Sequence, residues 1–162
     1  MSNDLICVGN AIVDIVSKIN DKTLDKFALK KGTMKIVTNQ EFNSIFNNLK
    51  EYSIISGGSA ANTAVGFSSL GGKAYFIGQL GNDNFGSVFQ KDIMSEGVIL
   101  KSHSALKDHQ TTSKSMVLVS KDAERTMCTY LGASTKLSYN LIDNSIFEKK
   151  NIMYIEGYLF DK

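Results

Sequence analysis

The sequence predicts an α/β protein, with a mostly parallel sheet flanked by helices and a small second β-sheet. Three observations predict it. Short apolar runs alternate with segments of helical periodicity along the 162 residues, the pattern of parallel strands joined by crossover helices. Two strand-like segments, Thr112 to Val119 and Arg125 to Leu131, break that alternation across the polar turn Ser120-Lys121-Asp122-Ala123-Glu124, which is a hairpin signal. A strand also runs into Gly57-Gly58 and then directly into a helix of small residues. The length favours one domain.

The elements follow in order. Leu5 to Val8 is a short apolar run closed by Gly9-Asn10, and Ala11 to Val16 resumes it with one acid, Asp14. This reads as a buried strand, a tight turn and a continuation. Thr23 to Leu29 places Leu24, Phe27 and Ala28 at helical spacing behind a capping Asp21. Thr33 to Val37 is a strand that falls outside the alternation. Thr38 and Glu41 form a capping box, and Phe42, Ile45, Phe46 and Leu49 give the next helix one apolar face. Tyr52 to Ile55 is a strand. Ser59 to Leu70 is a helix closed by Gly71-Gly72. Ala74 to Leu80 is a strand, and Phe85 to Glu96 a helix ending at Gly97. Leu137 to Phe147 reads as a helix, and Ile152 to Ile155 as a last strand before Glu156-Gly157-Tyr158.

Composition excludes several classes. Hydrophobic residues are 43% of the chain, enough for a core. The net charge is +2 with acids and bases interspersed, so the clustered basic face of a nucleic-acid binder is missing. There is no basic amphipathic segment for a membrane surface, and no apolar run nears the roughly 18 residues of a span. The start, Met1-Ser2-Asn3-Asp4, has no basic region of a leader. Cys7 and Cys128 lie far apart without metal or redox spacing, which fits buried thiols in a reducing compartment and a cytoplasmic location.

Certain residues point to chemistry. Gly57-Gly58 before a helix leaves backbone N–H groups free to face a cavity, and glycine lets a ligand approach the main chain. Ser59 and Asn62 are three apart, so both can face that helix end. The bland alternative is a tight turn with a capping serine. Asp14, inside Ala-Ile-Val-Asp-Ile-Val, is costly to bury without partners, and a carboxylate accepts two hydroxyl hydrogen bonds, as a sugar diol offers. Asn10 lies just upstream of it. Gly81-Asn82-Asp83-Asn84-Phe85-Gly86 reads mainly as a helix cap. Arg125 is either a surface arginine or a phosphate ligand. His103 and His109 have no ligand spacing and read as surface residues.

Val8-Gly9-Asn10-Ala11-x-x-Asp14, Gly57-Gly58-Ser59-Ala60-Ala61-Asn62 and Gly78-x-x-Gly81-x-Asp83-x-x-Gly86, in that order and at those intervals, resemble the ribokinase-like (PfkB) family of sugar and nucleoside kinases. Asp122-Ala123-Glu124-Arg125-Thr126 and Tyr154-Ile155-Glu156-Gly157-Tyr158 are most similar to its adenosine-kinase branch. The resemblance implies phosphate transfer from ATP, with Mg2+, to the hydroxymethyl group of a sugar or nucleoside. It implies that Asn10 and Asp14 hold ribose hydroxyls, and that Gly57, Gly58, Ser59 and Asn62 line the sugar pocket. It implies a β-sheet lid from segments near 15–37 and 112–131, with Met34 and Ile36 touching the substrate. Arg125 would approach the transferred phosphate and Tyr158 would pack near a base. The molecule would act as a monomer or as a dimer joined through the lid.

The family's Gly-Ala-Gly-Asp motif, which carries its anion hole and base, has no counterpart here. Gly132-Ala133-Ser134 lacks the second glycine and the acid. The expectation is therefore an N-terminal portion that supplies the acceptor site, with no catalytic residue of its own and the ATP site mostly elsewhere. The competing expectation is an inactive remnant that only binds a sugar or nucleoside. A Rossmann-type oxidoreductase is disfavoured, since no Gly-x-Gly-x-x-Gly follows the first strand.

Overall fold

A computed structural model describes residues 4–101, 110–147 and 152–160. His103 and His109 lie outside the described residues. The strands are β1 (Leu5–Val8), β2 (Ile12–Lys18), β3 (Met34–Ile36), β4 (Ser53–Gly57), β5 (Ala74–Ile77), β6 (Ile99–Leu100), β7 (Ser113–Val119), β8 (Arg125–Tyr130) and β9 (Ile152–Ile155). The helices are α1 (Asp21–Lys26), α2 (Asn39–Phe46), α3 (Ser59–Ser69) and α4 (Asn84–Ser95).

Among the described residues the strands form two sheets. The first has the order β6-β5-β1-β9, and every pairing in it is parallel. The second has the order β3-β8-β7-β2-β4. It mixes antiparallel pairs, β2 with β4 and β7 with β8, with parallel pairs, β2 with β7 and β3 with β8.

The first two apolar runs do not continue one strand. β1 ends at Val8, and Gly9 still donates its N–H to Ile77 O in the parallel sheet. The Asn10 N–H then turns to the Glu156 carboxylate, and the chain crosses into the second sheet as β2. The run before Gly57-Gly58 also belongs to the second sheet, where β4 pairs antiparallel with β2 from Ile12↔Gly57 to Val16↔Ser53. The segments expected in a separate sheet, near 15–37 and 112–131, contain β3, β7, β8 and most of β2; β4 joins them because β2 offers it a free edge.

Three local expectations shift. The cap of α1 is Asn20, whose side chain accepts the Thr23 N–H, so Asp21 lies inside the helix. Residues 137–147 do not form one α-helix; they make short 3-10 turns at Tyr139–Leu141 and Asn144–Phe147. Asn and Asp side chains compete for the backbone there, as when Asp143 Oδ1 accepts the Ser145 N–H. The strand expected over Ala74 to Leu80 stops at Ile77. The Thr38/Glu41 capping box and the Asp83 cap, which accepts the Gly86 N–H, both form.

Among the described residues, three apolar clusters hold the layers. In the first, Ala60, Ala61 and Ala64 of α3 bring that helix close to Leu5 and Cys7 of β1, with Phe76 and Phe89 behind them. The second lies on one face of the second sheet, where Phe42 and Ile45 of α2 pack on Ile15, Met116, Leu118 and Cys128. The third covers the other face of the parallel sheet through Ile6, Val8, Ile77 and Ile146. Both cysteines are buried and free. Lys114 is buried too, with its ammonium 4.9, 5.1 and 5.5 Å from the ring centres of Phe42, Phe85 and Tyr130. Loss of water lowers its pKa, and the charge of Asp83 opposes that.

Candidate functional site

The crossing between the sheets builds the site. β1 and β9 end side by side, with Val8 in register with Ile155. Immediately beyond them lie Asn10, the N-terminus of α3 and Glu156. Glu156 is 3% exposed, and its carboxylate collects four donors. Oε1 accepts from the Asn10 N–H and from Asn10 Nδ2, both at 2.6 Å. Oε2 accepts from Ser59 Oγ at 2.7 Å and the Ala60 N–H at 3.3 Å. Such convergence stabilises a buried carboxylate.

Glycine is required on both sides of this knot. A Cβ at Gly9 would stand 2.5 Å from both Ala60 Cβ and Glu156 Oε2. Gly58 has φ +96°, and a Cβ there would stand 2.6 Å from the Asn10 carbonyl oxygen. Gly58 is therefore a steric necessity of the crossing as well as part of the wall of the cleft.

The second sheet supplies the facing wall. Its register aligns one transverse row: Ile55 opposite Asp14, Asp14 beside Ser115, Ser115 opposite Thr129, and Thr129 beside Ile36. Paired residues share a face, so this row carries an acid and two hydroxyls side by side. Ser115 Oγ and Thr129 Oγ1 are hydrogen-bonded at 2.9 Å. Among the described residues no donor reaches the half-buried Asp14 carboxylate, and burial pushes its pKa up from 3.8 to about 6. A cleft of about 540 Å³ lies between the two walls.

The expected residues divide as follows. Asn10, Asp14, Gly58, Ser59, Met34, Ile36 and Tyr158 all line the cleft. Met34, Ile36 and Tyr158 are exposed and, with Met127, Leu131 and Leu137, contribute apolar lining. Gly57 lies outside the lining; it sits against the Asp14 carboxyl, which a Cβ would strike. The Asn62 side chain is exposed outside the lining, while its N–H closes the first helical turn to Gly58 O. Arg125 is exposed and outside the lining. It shares the Met127–Thr129 face, about 13 Å along the strand from Thr129. One expectation needs correcting: the Ser59 O–H and the Ala60 N–H are not donors left for a ligand, because both donate to the chain's own Glu156, and Ser59 Oγ keeps only its acceptor capacity in the cleft it lines.

The sequence reading does not single out Glu156, Ser115 or Thr129. For Glu156 the signal was present: it is an acid directly behind the apolar run of β9, the same anomaly that marks Asp14. For the hydroxyls the signal was alternation, since Ser113 and Ser115 fall on one face of β7.

Comparison with known proteins places this geometry in a family. The pfkB family carbohydrate kinase model matches residues 26–162. The "Probable fructokinase-7" of Arabidopsis thaliana is 31% identical over 153 residues, which is 93% of this chain and 38% of that protein. The adenosine kinase from Sinorhizobium meliloti superposes with a TM-score of 0.85 at 34% identity, over 99% of this chain and 49% of that one. A probable sugar kinase from Rhizobium etli CFN 42 does so with a TM-score of 0.86 at 36% identity, again over 99% and 49%. The chain spans about half the length of these structures and between 14% and 38% of the curated relatives it matches. A mostly parallel sheet flanked by helices, a mixed second sheet and the cleft at their crossing agree with that match: the chain belongs to the pfkB family of carbohydrate kinases.

Proposed function

We propose that the cleft is the acceptor site of an ATP-dependent phosphotransferase acting on a sugar or ribonucleoside, and that this chain supplies the part that holds the acceptor. The observation that carries the reading is Asp14: a half-buried carboxylate in a polar row, with no donor among the described residues, facing a cleft. Vicinal hydroxyls supply the missing donors, and hydrogen bonds to an ionised group are the stronger kind. Asn10 adds a polar group from the end of the first sheet. Met34, Ile36 and Tyr158 add an apolar surface suited to a base or a sugar's carbon face.

Phosphoryl transfer rests on positioning and electrostatics in a site shielded from water, so a cleft roofed by a second sheet suits it. Bound ATP with Mg2+ would supply the phosphoryl group. Among the described residues no group of three or more His, Cys, Asp or Glu side chains is placed to hold a metal, so no residue of this chain is assigned to Mg2+. Arg125 is proposed to meet the transferred phosphate from the lid strand.

The test is a thermal-shift panel of adenosine, D-ribose and D-fructose on the 162-residue chain. A ligand at 100 times its Kd adds about 2.7 kcal/mol of stability. At least one should raise the Tm, and Asp14→Ala should abolish that shift. A panel that leaves the wild-type Tm unmoved, or a shift that survives Asp14→Ala, removes the assignment. Turnover with ATP and Mg2+ then separates a working kinase from an acceptor-binding protein.

A further inference from the structure

We infer that Glu156 is a positioning residue that fixes the Asn10 carboxamide with its carbonyl oxygen toward the cleft, so that the site reads hydroxyl donors and discriminates against acceptors that lack them. The inference rests on the proposed acceptor site for its ligand, and on the carboxylate knot for its geometry.

The orientation follows from donor and acceptor chemistry. The Asn10 backbone N–H can only donate, and it points at Glu156 Oε1 at 2.6 Å. The Ala60 N–H, equally fixed, points at Oε2. Both carboxylate oxygens are thus held as acceptors. The Asn10 side-chain atom 2.6 Å from Oε1 must then be the nitrogen, since the flipped amide would set two acceptors against each other. With one N–H committed to Glu156 and the flip of the amide thereby fixed, Oδ1 is the acceptor that Asn10 has left for the cleft it lines, beside its second N–H. Asp14 on the opposite wall is an acceptor as well. Two acceptors on facing walls complement an acceptor molecule bearing two hydroxyl donors, and a deoxy analogue leaves one of them dry.

A residue that merely holds the fold would lower affinity for every ligand alike. A residue that orients Asn10 changes the ratio between hydroxyl and deoxy ligands. The experiment measures Kd for adenosine against 2′-deoxy- and 3′-deoxyadenosine, and for D-ribose against 2-deoxy-D-ribose. Wild type should prefer a hydroxyl ligand at least about tenfold. Glu156→Met, which removes both acceptors, should cut the preference to below about threefold. Glu156→Gln, which keeps one acceptor for Asn10, should restore most of it. An unchanged ratio in Glu156→Met overturns the inference.

A measurement on wild type needs no variant. One of the two Asn10 carboxamide protons should exchange slowly in NMR because it is bonded to a buried carboxylate, and free exchange of both overturns the inference. Wild type that binds neither adenosine nor D-ribose would overturn their assignment to this cleft and the discrimination drawn from it. Slow Asn10 exchange in that case would still support the clamp.

Discussion

Asp14 carries a cost that the fold does not relieve. Its carboxyl titrates near 6 because burial removes water from the charged form. The native state therefore binds more protons than the unfolded chain between about 3.8 and 6. Stability falls as pH rises through that window and stays at the lower level above it. A shift of this size corresponds to about 3 kcal/mol at full burial, and solvent on the cleft side screens it to about 1–2 kcal/mol. Asp14→Asn removes the charge and nearly keeps the shape. It should match wild type in urea unfolding below pH 4 and exceed it by that margin at pH 7. A variant less stable than wild type at pH 7 would show that the charge is satisfied. Stability sacrificed at a site is common where function needs an unpaired group. At this scale the sequence was legible wherever one residue contradicted its neighbours, as Asp14 does within β2. The partner of Asn10 was not, because Glu156 lies 146 residues away and no local pattern encodes so distant a contact.

Elements were legible where the signal was local. The capping box of α2 is an example: Thr38 Oγ1 accepts the Glu41 N–H at 3.2 Å, and Glu41 Oε2 accepts the Thr38 N–H at 2.8 Å. Thr38→Ala should cost about 1 kcal/mol, read as a lower urea midpoint at constant slope. It should leave ligand affinity alone, because α2 packs on Ile15, Met116 and Cys128, the face of the second sheet opposite Asp14, Ser115 and Thr129. A changed Kd would mean that α2 shapes the cleft through the sheet. Sheet membership was legible for β3, β7 and β8, which break the alternation, and not for β2 and β4. β1 and β2 read as one broken strand, and β4 reads like any strand before a helix. Which sheet each joins depends on edges that exist only in three dimensions, and period-2 patterning is silent about partners. The segment 137–147 failed for a different reason. Leu137, Ile142 and Ile146 all pack against the third cluster, yet turns dense in Asn, Asp and Ser reach the same burial without an α-helix.

At the scale of the molecule, two sheets enclose one cleft, and how they unfold depends on how they are joined. Ile54 of β4 and Phe85 at the start of α4 each pack against both the first and the second cluster. Val13 of β2, a strand of the second sheet, is buried in the first cluster. Asp83, the cap of α4, also binds the Thr112 N–H just before β7, at 2.9 Å. Layers tied through shared side chains and shared backbone should lose their structure together. Equilibrium urea unfolding should therefore be a single transition. Far-UV circular dichroism, which follows both sheets, and tyrosine fluorescence should give coincident curves; the chain has six Tyr and no Trp, with Tyr52 and Tyr130 beside the second cluster and Tyr75 beside the third. A ligand in the cleft contacts both layers, so it should move this one midpoint without splitting it. An early fluorescence transition accompanied by only part of the circular-dichroism change would mean that the second sheet opens independently. The walls carrying Asn10 and Asp14 would then be held in place by the ligand rather than prepared for it.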